Sequence, residues 1–258
     1  MMFQVDSLCS DGLPQTQVSK ERRTAYDKSL KYIRRLFRFR QMDFEFAAWQ
    51  MLYLFISPQK VYRNFRYRFN TKNQYARDDP AFLVLLSCFL SFTTLAFSLI
   101  IHGFSILAYL KMLIWIVLID CILIGMVVAT TLWILANKYL LVSQFPNSDV
   151  EWAYAFDIHL NALVPMLMIL HVVQLPLLHM INSGHFFSCL VGNSLWLAAI
   201  IYYIYITFLG YTGLQTVRST YLFLYPIIPL VFMYLLSLMF QWNFTSWMLV
   251  FYKARSGI

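Results

Sequence analysis

Residues 78–101 read Asp78-Asp79-Pro80-Ala81-Phe82-Leu83-Val84-Leu85-Leu86-Ser87-Cys88-Phe89-Leu90-Ser91-Phe92-Thr93-Thr94-Leu95-Ala96-Phe97-Ser98-Leu99-Ile100-Ile101. Two carboxylates and a proline are a helix start, with Asp79 as the cap and Pro80 in the first turn. From Ala81 onward the run carries no charge and is as long as the roughly 20 apolar residues needed to cross about 30 Å of hydrocarbon. The fold class follows: an all-α chain built around membrane spans.

Four more runs repeat the signal, at about Met112 to Ala136, Trp152 to Leu178, Phe186 to Leu209 and Tyr221 to Phe240. Composition agrees, because 60% apolar and only 12% charged residues are far from the roughly 25% charge of soluble domains. The expected architecture is a polytopic bundle of about five transmembrane helices over residues 79–242, preceded by basic helices over 26–78 and followed by a short lumenal tail at 243–258. Residues 1–25, with Gly12, Pro14 and several polar residues, are expected to be a disordered tail.

Fifteen of the twenty Lys and Arg residues occur up to Arg77, and five beyond it. Cations beside spans resist translocation, so the N-terminus is expected on the cytosolic side and the C-terminus in the lumen. Lys138 and Arg218 fall in loops that this orientation makes cytosolic, while Lys253 and Arg255 break the rule. No cleavable leader is expected, since the first 19 residues lack an apolar core. Asn243-Phe244-Thr245 is a glycosylation sequon pressed against the fifth span and is expected to stay unmodified. The four scattered cysteines, Cys9, Cys88, Cys121 and Cys189, form no CxxC pair and are read as small hydrophobes.

The segment before the spans is unusual. Leu30, Ile33 and Phe37 repeat at helical spacing beside Lys31, Arg34, Arg35 and Arg38, which describes a basic amphipathic helix on a membrane surface. Phe44 to Ile56 is apolar but too short to cross, so it is re-entrant or interfacial. Ser57-Pro58 then starts a short helix with Lys60, Arg63, Arg66 and Arg68. Guanidinium groups alternating with aromatic rings suit anionic lipid headgroups, and they also suit phosphates and stacked bases of single-stranded RNA. The candidate lipid, partner or RNA surface is therefore Lys31, Arg34, Arg35, Arg38, Arg40, Lys60, Arg63, Arg66 and Arg68.

Inside the spans, Asp120 lies about 12 Å from the start of the second, where an ionised carboxylate costs about 3 kcal/mol. It needs a partner, and Asp120 is expected to face the bundle and meet His171, at similar depth on the third span with Gln174 one turn on, or another polar group. Asp157 and Asn161 share a helical face while His159 points elsewhere, so this trio is read as a bonded interfacial turn rather than a metal site. Asp149 is the expected cap of that helix. No catalytic residue, cofactor or small-molecule substrate is expected, because the acids are dispersed and no HExxH or phosphate loop occurs. The alternative is a solute or ion transporter using the intramembrane polar residues, against which an odd span number without evident repeats argues.

Arg34 through Met51, Ala76-Arg77-Asp78-Asp79-Pro80-Ala81-Phe82, Val150 to Asn161, Val191-Gly192-Asn193 and Phe208-Leu209-Gly210-Tyr211 closely resemble the signature of the uncoordinated-fifty family of Golgi membrane proteins. The resemblance covers roughly Tyr32 to Tyr252. It implies a five-span, non-enzymatic trafficking factor of the Golgi and endoplasmic reticulum, and of the inner nuclear membrane, with a cytosolic N-terminus. It further implies links to assembly or surface delivery of nicotinic acetylcholine receptors, to exchange factors for Arf GTPases, and to RNA. No site residue is carried over by it.

Overall fold

In a computed structural model the described residues are 42–64, 76–77, 79–103, 105–142, 149–214 and 216–256. The amphipathic repeat at Leu30, Ile33 and Phe37 lies outside them, as do Lys31, Arg34, Arg35, Arg38, Arg40, Arg66 and Arg68.

Among the described residues five helices are long and apolar enough to span a bilayer: α3 (Ala81–His102), α4 (Ile106–Leu140), α5 (Trp152–Ile181), α6 (Phe186–Thr212) and α7 (Thr220–Met239). Before them come α1 (Phe44–Ile56) and α2, residues 58–64. After them comes α8 (Phe244–Ser256). The chain is a multi-pass, all-α membrane protein. Successive spans alternate direction, so Asp79, Leu140, Trp152, Thr212 and Thr220 lie at one end, called the near end. His102, Ile106, Ile181, Phe186 and Met239 lie at the far end.

The second span is longer than its apolar run suggests. Ser105 caps α4 by accepting the Ala108 N–H at 3.4 Å, so the helix begins six residues before Met112 and keeps Lys111 exposed. Within it, Trp115–Leu123 is π-helical, a wide turn of the kind that gathers at functional positions. Pro165 inside α5 is followed by a second π segment, Met168–Val173. At Tyr225-Pro226 α7 changes from a 3₁₀ turn, Thr220–Leu224, to the α-helix Ile227–Met239.

The residues expected as a short tail from 243 on are helical from Phe244 to Ser256 and fold back onto the bundle. A tight turn with Gln241 at φ 52° reverses the chain after α7. Asn243 accepts the Ser246 N–H and donates to the Ile181 carbonyl at 2.8 Å, which starts α8 against the far end. α8 packs on α3, α4 and α6, burying Thr245 and Ser256 and leaving Trp247 and Val250 exposed.

α1 joins the bundle at both of its ends. Asp43 accepts the Phe46 N–H at 3.0 Å and donates its own N–H to Asp79 at 2.8 Å. The same Asp79 carboxylate accepts the Ala81 N–H at 3.1 Å, so one acid ties the starts of α1 and α3. At the other end Tyr202 of α6 donates to the Phe55 carbonyl at 2.8 Å. Arg77 meets Asp157 of α5, and Tyr203 meets His159. Those α5 residues differ by about 3 Å of helical rise, so both anchors lie at nearly one level. α1 therefore lies across the bundle with both of its ends held at nearly one level.

Candidate functional site: two polar centres and a basic edge

The near-end centre is built on α5. Asp157 and Asn161 sit one turn apart on its inner face, both at most 8% exposed, where an unpaired polar group costs several kcal/mol. The segment before α3 supplies the partner. The Arg77 N–H donates to Asp157 at 2.6 Å and its guanidinium donates to Asn161, while the same group lies 3.9 Å over the Phe82 ring. Asn161 in turn donates to the Tyr62 hydroxyl of α2 at 3.4 Å. Burial pushes the Tyr62 phenol above its ordinary range, with the Asn161 bond and the nearby Arg77 charge acting in the opposite direction.

His159 faces elsewhere. A carbonyl only accepts, so its Nε2 donates to Cys121 of α4 at 3.2 Å, and its Nδ1 takes the Tyr203 hydroxyl at 2.7 Å. The ring is locked between two spans. This centre is a clamp joining α2, the α3 entrance, α4, α5 and α6. Among the described residues no group of three or more His, Cys, Asp or Glu is placed to hold a metal ion.

Asp149 does not cap α5. Glu151 occupies the cap position and its side chain makes no capping bond to the helix start, and Asp149 is exposed. The reason lies one residue on: Asn137 and Trp133 of α4 bond both sides of the Val150 peptide, which fixes the helix start beyond Asp149's reach.

In the far-end centre Asp120 meets a polar group, but that group is not His171. Asp120 does point into the protein, but its partner is Tyr252 of α8, which donates to it at 2.7 Å. His171 bonds Thr93 of α3 at 3.0 Å and sets its ring edge-on to Phe97, 5.2 Å away. The Thr93 hydroxyl also lies 3.2 Å from the Leu90 carbonyl of its own helix. Gln174 donates to Thr245 at 2.5 Å and Trp196 to the same oxygen at 3.2 Å. Between α8 and the spans lies a cavity of about 60 Å³ lined by Phe97, Ile116, His171, Gln174, Thr245 and Tyr252, among others.

At the end of α8 Arg255 lies 4.6 Å over the Trp115 ring, and Ser256 bonds His102 at 2.6 Å. The two tail cations that broke the charge rule are therefore part of a packed helix. Replacing Tyr252 by phenylalanine strips Asp120 of this donor, and the membrane domain is expected to lose about 1–2 kcal/mol. A double-mutant cycle with Asp120→Leu, which has no acceptor, read by thermal unfolding in detergent, checks this; strictly additive losses would show that the bond carries no energy.

The basic edge is described only at α2. Lys60 and Arg63 are exposed on its outer face, while Val61 and Tyr62 are buried beneath. Lys60 Nζ sits 5.6 Å from the Tyr53 ring of α1, in cation–π range.

A protein-family model described as the UNC-50 family matches residues 32–253. The chain is 56% identical over 236 residues to the human protein named Protein unc-50 homolog, an alignment covering 91% of this chain and 90% of that one. It is 53% identical to the zebrafish (Danio rerio) homolog, with 91% of each chain covered. It is 47% identical to Protein unc-50 of Caenorhabditis elegans, with 91% of this chain and 77% of that one covered. No solved structure matches. A match over most of the chain to the family model, with relatives near half identity across nearly its whole length, means that this chain belongs to the UNC-50 family.

Proposed function

We propose that this protein is a non-enzymatic trafficking factor of the Golgi and endoplasmic reticulum membranes, extending to the inner nuclear membrane. Its near end faces the cytosol, and its work is to present a basic, aromatic-rich surface there. The observation that carries the reading is that α1 and α2, which follow the Arg34–Arg40 cluster in sequence, are bonded to the bundle through Asp79, Tyr202 and Tyr205. The spans hold a platform in position. Its partners are anionic lipids of the cytosolic leaflet together with exchange factors for Arf GTPases, and its cargo includes nicotinic acetylcholine receptor subunits.

RNA contact through the same cations is the second use of this surface, favoured by the alternation of Arg and aromatic residues from Arg34 to Arg40 and from Phe65 to Phe69. Transport is less well supported. The polar residues that a solute path would use, Asp120, His171 and Gln174, are each bonded to a neighbouring helix, and the cavity beside them is large enough for only a few waters.

Reversing the charge at Arg34, Arg35 and Arg38 is expected to abolish co-precipitation of the exchange factor and to disperse the protein from the Golgi, while thermal unfolding of the membrane domain stays as in the unaltered protein. Intact localisation and co-precipitation in the R34E/R35E/R38E variant would remove the basis for the reading.

A further inference from the structure

We infer that the corner between α1 and α2 is a binding site for an anionic phospholipid, with Lys60 and Arg63 gripping the phosphate and Leu52, Phe55 and Ile56 meeting its acyl chains. This rests on the proposed reading of the near end as a membrane-bound basic surface, but it uses residues separate from the Arg34–Arg38 cluster.

The two helices divide their faces sharply. On α1, Ala47, Gln50 and Leu54 are buried against the bundle, whereas Leu52, Phe55 and Ile56 are 57%, 38% and 65% exposed. A helix held across a bundle with both ends at one level, and with its outer apolar residues uncovered, is placed to dip that face into the boundary between headgroups and chains. Its outer face is graded: Glu45 and Ala48 are exposed at the start, and the large apolar residues gather at the end. The cations follow at once. Lys60 and Arg63 are three apart on the outer face of α2, so they stand side by side, within two turns of Ile56. Phosphate and acyl recognition thus adjoin in the order in which a phospholipid carries them.

The corner is also fixed in place, which a specific site requires. Tyr202 donates to the Leu54 and Phe55 carbonyls at 3.4 and 2.8 Å, using orphan acceptors at the end of α1. Gln59 donates to the Tyr205 hydroxyl at 3.2 Å. The Phe55 and Tyr202 rings stack 6.2 Å apart, so an apolar wall continues from α1 onto α6. Lys60 reaches back over Tyr53, which draws its ammonium towards α1. Charge complementarity selects the occupant: two exposed cations beside an apolar step match an anionic lipid, and a neutral zwitterionic lipid satisfies them less well.

The test uses the full-length protein in nanodiscs of phosphatidylcholine containing a minority of phosphatidylserine, with retained lipids counted by native mass spectrometry after release. The unaltered protein is expected to keep phosphatidylserine in preference to phosphatidylcholine. In K60A/R63A that preference falls by about 25-fold, each cation near an anionic leaflet being worth about a factor of five. K60R/R63K retains it, and R34E/R35E/R38E retains most of it. Unchanged lipid preference in K60A/R63A overturns the site. So does unchanged lipid preference accompanied by lost co-precipitation of a protein, because the corner would then be a protein-docking face. Loss of exchange-factor binding in R34E/R35E/R38E with normal lipid retention separates failure of the functional reading from failure of the lipid site.

Discussion

Replacing Asn193 by leucine is expected to destabilise the membrane domain by about 3 kcal/mol, the sum of three intramembrane hydrogen bonds at roughly 1 kcal/mol each. Asn193 is 1% exposed and joins three helices at the far end. Its Nδ2 donates to the Ser237 hydroxyl at 2.8 Å and to the Trp242 carbonyl at 2.9 Å, and its Oδ1 accepts the Phe244 N–H at 3.1 Å. Leucine fills similar volume and makes none of these bonds. The end of α7 and the start of α8 then lose the bridge to α6, and two backbone groups are left without it in a region poor in water. Unfolding followed with a thiol-reactive dye, which reads release of the buried Cys121 and Cys189, measures the effect. A midpoint equal to that of the unaltered protein would mean that the bridge is dispensable.

The second large effect is expected at Gly125. A Cβ there would lie 2.5 Å from the His159 ring and 3.3 Å from Phe156, closer than packed atoms approach. His159 has no room to yield, since Tyr203 holds one ring nitrogen and the Cys121 carbonyl the other. Gly125→Val therefore forces α4 off α5 or breaks both bonds. Overpacking by about 1–3 kcal/mol and two lost hydrogen bonds at roughly 1 kcal/mol each together give about 4 kcal/mol. Gly103 is the matched control: nothing lies within 4 Å of a Cβ there, so alanine meets only the backbone penalty of φ 68°. Monodisperse yield in detergent distinguishes them. If Gly125→Val gives as much folded protein as Gly103→Ala, the close approach of α4 to α5 is not a constraint.

The five spans were legible because each is a long run with few or no charges, and Asp79 announced the first from its own end. Helical spacing also revealed that Asp157 and Asn161 share a face without His159. Their partner was not legible: Arg77 is 80 residues from Asp157, and no local pattern links them. For Asp120 the sequence indicated depth but not azimuth. The π-helical stretch Trp115–Leu123 turns that part of α4 by an amount that apolar periodicity does not report, and Asp120 meets α8 where α5 was expected. α8 itself was missed because Lys253, Arg255 and several hydroxyls dilute its apolar content. A finer signal was present. Thr245, Tyr252 and Ser256 fall on one helical stripe after Asn243, a good cap residue, and the side chains of all three bond the spans.

The Asp120–Tyr252 bond also sets an order of assembly. The carboxylate enters the bilayer with the second span, and the phenol that answers it lies 132 residues further along the chain. At about 5–20 residues per second, the ribosome needs on the order of ten seconds to make that length. During that interval the acid sits in the membrane without the group that will hold it, at a cost of about 3 kcal/mol. Every newly made copy therefore passes through a state in which an incomplete chain is distinguishable from a finished one by a single uncovered charge.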